Sequence, residues 1–202
     1  MAREDLCRFL AACFYEPAPM FAEARLFDSM RLAAEQVDAD LGVRARRLGE
    51  AFAKDALQDL LVDYTRLFLG PVQPLAKPYG SFWLSGESTL MQDSTRQVLE
   101  LYAQAGFDID DGFHELPDHV AVELEFLYLL AFRQNRARHD ADDAALDELL
   151  RLEQRFLGQH LGAWFAPFTA AMAAGAQTDF YRELAALTDA FLRLQLARAQ
   201  PH

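Results

Sequence analysis

The sequence predicts an all-α protein. Apolar residues recur at intervals of three and four along most of the chain, the period of one helix face. No segment sustains the apolar–polar alternation of a half-buried strand. Glycine and proline crowd into one irregular stretch, residues 70–86, with three of each in seventeen positions.

Taken in order, Leu6, Phe9, Leu10, Cys13 and Phe14 mark a first helix, which Pro17 and Pro19 stop. A second amphipathic run spans Met20 to about Val37. A third region, Arg44 to Leu69, ends at Gly70-Pro71, a strong stop signal. Residues 70–86 read as a loop. Glu87 to Ala105 is helical and closes at Gly106, and a short acidic, hinge-like loop, 106–117, follows. The next helix runs from about Pro117 to Arg138. Ala141 to about Ala174 gives one or two helices, broken near Gly158 or Gly162, and Gln177 to Ala199 gives the last. The expectation is seven to nine helices in one domain over residues 1–202.

The totals narrow the function. The chain has 202 residues, 52% of them apolar and 16 of them Phe, enough for a sizeable core and too apolar for disorder. Nineteen basic against 31 acidic residues give a formal charge of −12. That argues against a nucleic-acid partner, which calls for a basic stripe, and favours a cationic one. Cys7 and Cys13 have no metal or redox spacing and read as small core side chains in a reducing compartment. The opening MAREDLCRFL carries charges where an export signal needs an apolar run. The longest uncharged run, Phe156 to Thr178, includes Gln159, His160, three glycines and Pro167, too polar and broken to span a bilayer. A cytoplasmic location without membrane insertion is expected.

No dinucleotide fingerprint, phosphate loop, nucleophile elbow or zincin motif is present. His114-Glu115 is followed by His119, one residue too far for zincin spacing. The stretch that needs explaining is ELPDHVAVELEFLYLL, Glu115 to Leu130. Pro117 suits a first helical turn, where its missing N–H costs nothing, and Asp118 there complements the helix dipole. Glu115, His119 and Glu123, at i, i+4 and i+8, share one side of a helix that continues into Phe126 and Leu130. The histidine reads as half-buried, with its pKa raised by the carboxylates. Three roles stay open for it: a tie between helices, a peptide-binding group, or a metal ligand.

Between Arg96 and Arg133 there is no Lys or Arg, yet eight acids: Glu100, Asp108, Asp110, Asp111, Glu115, Asp118, Glu123 and Glu125. Either this is a solvated acidic surface, or a negative field for arginines, which pair bidentately with carboxylates. Aromatic residues lie nearby in sequence. Tyr64, Leu67 and Phe68 precede Gly70, and Pro78, Tyr79, Phe82 and Trp83 follow. Most of these are ordinary core candidates, but aromatics on a proline-rich loop also line recognition grooves.

These same residues carry a resemblance. Tyr64-Thr-Arg-Leu-Phe-Leu-Gly-Pro71 resembles the aromatic-x-x-Leu-Phe-x-Gly-Pro segment of the cytoplasmic redox-enzyme maturation chaperones of the TorD/DmsD/NarJ type. Pro78-Tyr-Gly-Ser-Phe-Trp83 resembles that family's proline and aromatic loop, and Glu115 to Phe126 its most diagnostic motif, E-x-P-D-H-x-x-x-E-L-x-F. Phe156, His160, Leu161 and Trp164 are similar to a weaker C-terminal pattern. Tyr64 stands where some relatives carry Trp. The resemblance implies the family's all-α fold, no catalysis and no cofactor of its own. It implies a partner: the apo-form of a molybdopterin oxidoreductase catalytic subunit, held by its N-terminal, usually twin-arginine, leader until the cofactor is loaded. By motif match the leader surface falls on Tyr64, Leu67, Phe68, Pro78, Tyr79, Trp83, Asp118 and His119. Glu115, Pro117 and Glu123 belong to the motif and serve folding as readily as binding. The chaperone itself is expected as a monomer or homodimer.

The rival expectation is a metal-dependent helical enzyme or sensor with Glu115, His119, Glu123 and His160 as ligands. It lacks the Glu-x-x-His repeats of ferritin-like sites. Weak, unconventional nucleotide binding and a scaffold for a folded subunit are further alternatives.

Overall fold

The computed structural model describes residues 1–18, 25–70, 73–85, 93–108 and 115–200. Among them are ten α-helical segments: α1 (Ala2–Cys13), α2 (Leu26–Val37), α3 (Ala39–Lys54), α4 (Leu57–Tyr64), α5 (Gly80–Ser85), α6 (Asp93–Gln104), α7 (Val120–His139), α8 (Asp143–Phe156), α9 (Gly162–Gly175) and α10 (Asp179–Ala199). Two π-helical turns interrupt the α geometry. Thr65–Leu69 extends α4, and Leu157–Leu161 joins α8 to α9. The expected break near Gly158 or Gly162 is therefore a change of winding inside a continuous helix. No strand forms among the described residues beyond one isolated bridge, Tyr79 with His119.

Several boundaries follow from identifiable caps. Asp38 separates α2 from α3, and its carboxylate accepts the N–H groups of Asp40 at 2.9 Å and Leu41 at 3.3 Å. The single region expected from Arg44 to Leu69 is in fact α3 and α4, parted at Asp55. That carboxylate instead accepts the N–H of Phe180 at 3.0 Å, near the start of α10. Asp142 caps α8 and Thr178 caps α10 in the same way. Gly70, at φ +59°, reverses the chain after the first π turn. A Cβ there would run into the Gln73–Pro74 backbone, so the stop is glycine-specific. The chain then turns back, and Ala76 N–H donates to the Leu67 carbonyl at 2.8 Å.

α7 is the hub. It is buried almost all round over its first three turns, as expected of a helix whose apolar residues do not confine themselves to one stripe. α1 and α8 pack against it. α2 lies against α1 and α3, α10 against α3 and α9, and the short α5 bridges α9 and α6. The core is aromatic. Phe14, Phe68 and Phe168 meet at centroid distances of 5.8–6.3 Å, and Tyr102, Phe126 and Phe156 form a second group at 4.6–4.9 Å. Cys7 and Cys13 are free thiols buried in this core, and burial pushes Cys7 up to about 12. No described helix is long and apolar enough to cross a membrane.

The residues expected to open α7 do something else. The helix starts at Val120, not Pro117, and His119 is its N-cap. Neither Pro117 nor Asp118 lies in the first turn. α5 also sits inside the stretch expected to be irregular throughout. Of the expected helix Glu87–Ala105, residues 87–92 lie outside the described residues.

Candidate binding site

Pro78, Tyr79 and Gly80 run antiparallel to Asp118, His119 and Val120. Gly80 N–H donates to the Asp118 carbonyl at 2.9 Å, and Val120 N–H donates to the Pro78 carbonyl at 2.8 Å. The loop and the start of α7 are thus sewn together by main chain. Asp118 adds a side-chain stitch: its carboxylate accepts the Ser81 N–H at 2.7 Å, at the start of α5. This explains why an acid sits just before α7. It serves the neighbouring helix's first turn, where N–H groups have no helical partner. Asp118 is 0% exposed, so the structure places it beneath the surface rather than on it.

His119 caps α7 through Nδ1, which accepts the Ala121 N–H at 3.1 Å. The ring is 3% exposed and lies between two tyrosines, near-parallel to Tyr15 at 6.4 Å and edge-on to Tyr79 at 5.3 Å. The expected upward pKa shift is wrong. Burial outweighs the pull of Glu115 and Asp118, and the imidazole falls to about 4. It is neutral at pH 7.

Glu123, also 0% exposed, points the other way, into the core. Its carboxylate lies 2.8 Å from His160 Nε2 on the second π turn and accepts the Trp164 indole N–H at 3.2 Å. Burial raises Glu123. Burial alone would lower His160, but the Glu123 carboxylate outweighs it and the net shift is upward. The pair holds a proton past the pH at which a free histidine loses one. Gly80 makes this approach possible, because a Cβ there would lie 2.9 Å from Trp164 Nε1 and 3.1 Å from Glu123 Oε1. The π turn also needs its glycine: a Cβ on Gly162 would strike the Leu157 carbonyl.

The expected surface therefore splits by depth. Leu67 is fully buried, and Tyr64, Phe68 and Pro78 nearly so. Phe68 packs on Tyr64 at 5.3 Å and on Tyr181 at 5.7 Å. Tyr79, Trp83, Glu115 and Pro117 remain half-buried. Trp83 is pinned by its indole N–H, which donates to the Lys77 carbonyl at 2.7 Å, and its ring meets Phe168 edge-on at 6.5 Å. Tyr79 donates its hydroxyl to Glu115 at 2.7 Å. Tyr102 O–H ties the Pro117 carbonyl to α6 at 2.9 Å.

The acidic interval is likewise not a uniform field. Asp118 and Glu123 are interior, and Glu125 accepts the Tyr15 hydroxyl at 2.8 Å. Asp110 and Asp111 lie outside the described residues. The metal reading fails on the same geometry. Glu115, His119 and Glu123 face different partners, and no group of three candidate ligands gathers among the described residues.

Sequence reasoning missed Asp63. It is 1% exposed, accepts the N–H groups of Gln177 and Thr178 at 2.8 Å each, and pairs with Arg66 at 2.9 Å. It also missed the contact of Tyr15 with Glu125, which no local spacing signals.

The comparisons fit this architecture. A solved structure of a redox enzyme maturation protein from Archaeoglobus fulgidus superposes with a TM-score of 0.53 over 95% of this chain and 92% of its own, at 20% identity. The fold is therefore the all-α fold of a redox enzyme maturation protein. A family model described as nitrate reductase delta subunit matches residues 34–170, and the chain belongs to that family, the TorD/NarJ family. Similar curated relatives are named chaperone protein TorD. One from Vibrio parahaemolyticus is 31% identical over 71% of this chain and 65% of its own length. One from Vibrio cholerae is 32% identical over 73% and 66%, and one from Shewanella loihica 26% over 86% and 78%. The chain thus matches about two thirds of the length of the two Vibrio relatives.

Proposed function

We propose that this protein is a non-catalytic chaperone that binds the N-terminal leader of a molybdopterin-containing oxidoreductase before its cofactor is loaded, in the cytoplasm. Two things support the reading. The curated relatives are named as chaperones. The chemistry-bearing residues of the diagnostic motif lock a loop to a helix start and leave aromatic and carboxylate groups half-exposed there. The second observation carries the proposal, because nothing in a merely structural tie requires Tyr79, Trp83 and Glu115 to stay at the surface.

On this reading the contact groups are Tyr79, Trp83 and Glu115, backed by Pro78, Tyr64 and Phe68. Asp118 and His119 shape the surface: one fixes α5, the other caps α7. The apolar part of the leader lies along the aromatic loop as a helix, and its basic part meets the carboxylates. Moderate affinity, about 1 μM or roughly −8 kcal/mol, suits a client that must be released.

The test is calorimetric titration of the protein with a panel of twin-arginine leader peptides from molybdoenzymes. Saturable binding that is lost in Trp83→Ala while helical circular dichroism is retained supports the reading. No binding to any leader overturns it.

A further inference from the structure

Asp118 and Glu123 are two carboxylates without exposure, and one short helix, α5, covers both. Asp118 holds the first turn of α5 through the Ser81 N–H, and the Gly80 backbone packs directly on Glu123 and Trp164. Against these two charges the interior supplies one group that can become a cation, His160. No Lys or Arg pairs with either carboxylate among the described residues.

The network is only partly satisfied. Asp118 Oδ2, both Glu123 oxygens and His160 Nε2 are hydrogen-bonded. Asp118 Oδ1 and His160 Nδ1 are buried with no partner. Buried polar groups are ordinarily paired, so two orphans in one network keep its closed form from being fully satisfied. The other elements around the pair bring little that titrates. α6 brings the Tyr102 hydroxyl, which burial keeps protonated and which donates to Pro117. α8 brings the Phe156 ring, near-parallel to the imidazole at 6.2 Å, α9 brings Trp164, and α10 places Leu196 beside Gly162 of the π turn. Asp118, on the approach to α7, is the second charge that acts on both members of the pair.

We infer that Glu123 and His160 work as a proton-held latch: with one proton shared between them α5 stays seated on the start of α7, and when that proton leaves, the joint of α5 with residues 118–120 opens to water. With the proton, the pair is neutral overall and its remaining cost is an Nδ1–H without an acceptor. Without it, Glu123 is a bare charge in the core beside a second one, Asp118. An uncompensated buried charge costs more than an unpaired N–H, so the closed joint loses. The cover that can yield is α5, six residues long, whereas α7, α8 and α9 are long helices of the core. Opening admits water to both carboxylates. The direction of linkage agrees. Burial lowers His160, Glu123 outweighs burial, and the net shift is upward from 6.5. A group raised in the closed form supports that form fully below 6.5 and stops doing so as pH climbs past its raised value. The latch belongs to the fold and does not depend on what the joint binds.

Native-state amide exchange followed by NMR on the full chain tests this, from about pH 6 to about pH 9, with each rate divided by its unstructured value. Gly80 and Ser81 are the reporters, since both donate their N–H to Asp118. Their protection should fall roughly tenfold per pH unit above 6.5, the effect of one linked proton, while amides within α10 keep theirs. Glu123→Gln removes the charge, keeps the shape and should make the protection of Gly80 and Ser81 independent of pH. His160→Gln leaves Glu123 without its cation and should leave both amides weakly protected at pH 6 already. Flat protection in the wild type overturns the latch. So does a fall of equal size throughout α10, which marks global unfolding, or a Glu123→Gln profile that follows the wild type. Should His160→Gln fail to fold, the wild-type and Glu123→Gln profiles decide between these outcomes.

Discussion

His119 shows how much one residue can be asked to do. It ends a loop, caps a helix and separates two tyrosines, all with a neutral ring. Its folded pKa of about 4 lies below the ordinary 6.5, so protonation favours the unfolded chain. The stability it contributes is fully present above pH 6.5 and is lost as pH falls through about 4, a difference of roughly 3 kcal/mol. His119→Asn keeps a good cap and removes the titration. Urea unfolding between pH 7 and pH 4 should therefore show a shallower loss in the variant than in the wild type. Parallel curves would mean that the ring is not held neutral. Glu123 makes the opposite kind of case. Glu123→Leu strands His160 and the Trp164 indole in the core, and urea unfolding at pH 7 should record a loss of about 3–5 kcal/mol. A loss below about 1 kcal/mol would show that the pair contributes little.

At the scale of elements, the π turns and the loop glycines set where side chains can meet. The turn at Leu157–Leu161 brings His160 to Glu123, and Gly80 lets α5 pass close to both. Gly80→Ala and Gly162→Ala should each cost about 1–3 kcal/mol by overpacking, read as a fall in the urea midpoint. Gly158→Ala, with open space where its Cβ would sit, serves as the control and should change little. What the sequence made legible at this scale is the helical period of every described element but α5 and the stop at Gly70. The start of α7 was misplaced for a physical reason. Pro117 and Asp118 have the composition of a first turn, and only the tertiary pairing of residues 78–80 with 118–120 shows that they belong to a bridge before the helix. The family motif pointed to the right neighbourhood but not to depth: Asp118 and Glu123 look alike in sequence to Glu115 and Glu125, and burial separates them. Tyr15 was invisible because its partner lies 110 residues away.

For the whole molecule, the surplus of acids would draw in the proposed basic leader and speed encounter more than it would tighten the complex. Leader binding should weaken by about tenfold between ~0.05 M and ~0.5 M salt, chiefly through the association rate, as stopped-flow fluorescence would record. A salt-independent rate would remove charge from the account. Loop 73–85 is tied to the start of α7 by main-chain and side-chain hydrogen bonds, and that joint is the proposed place of the client. Photo-crosslinking tests this most directly, with benzophenone placed beside the arginine pair of a bound leader peptide and the adducts mapped by mass spectrometry. The account predicts adducts at Tyr15, Tyr79, Trp83 and residues 115–117. Adducts confined to α2, α3 or α10, with this joint unlabelled, would contradict it.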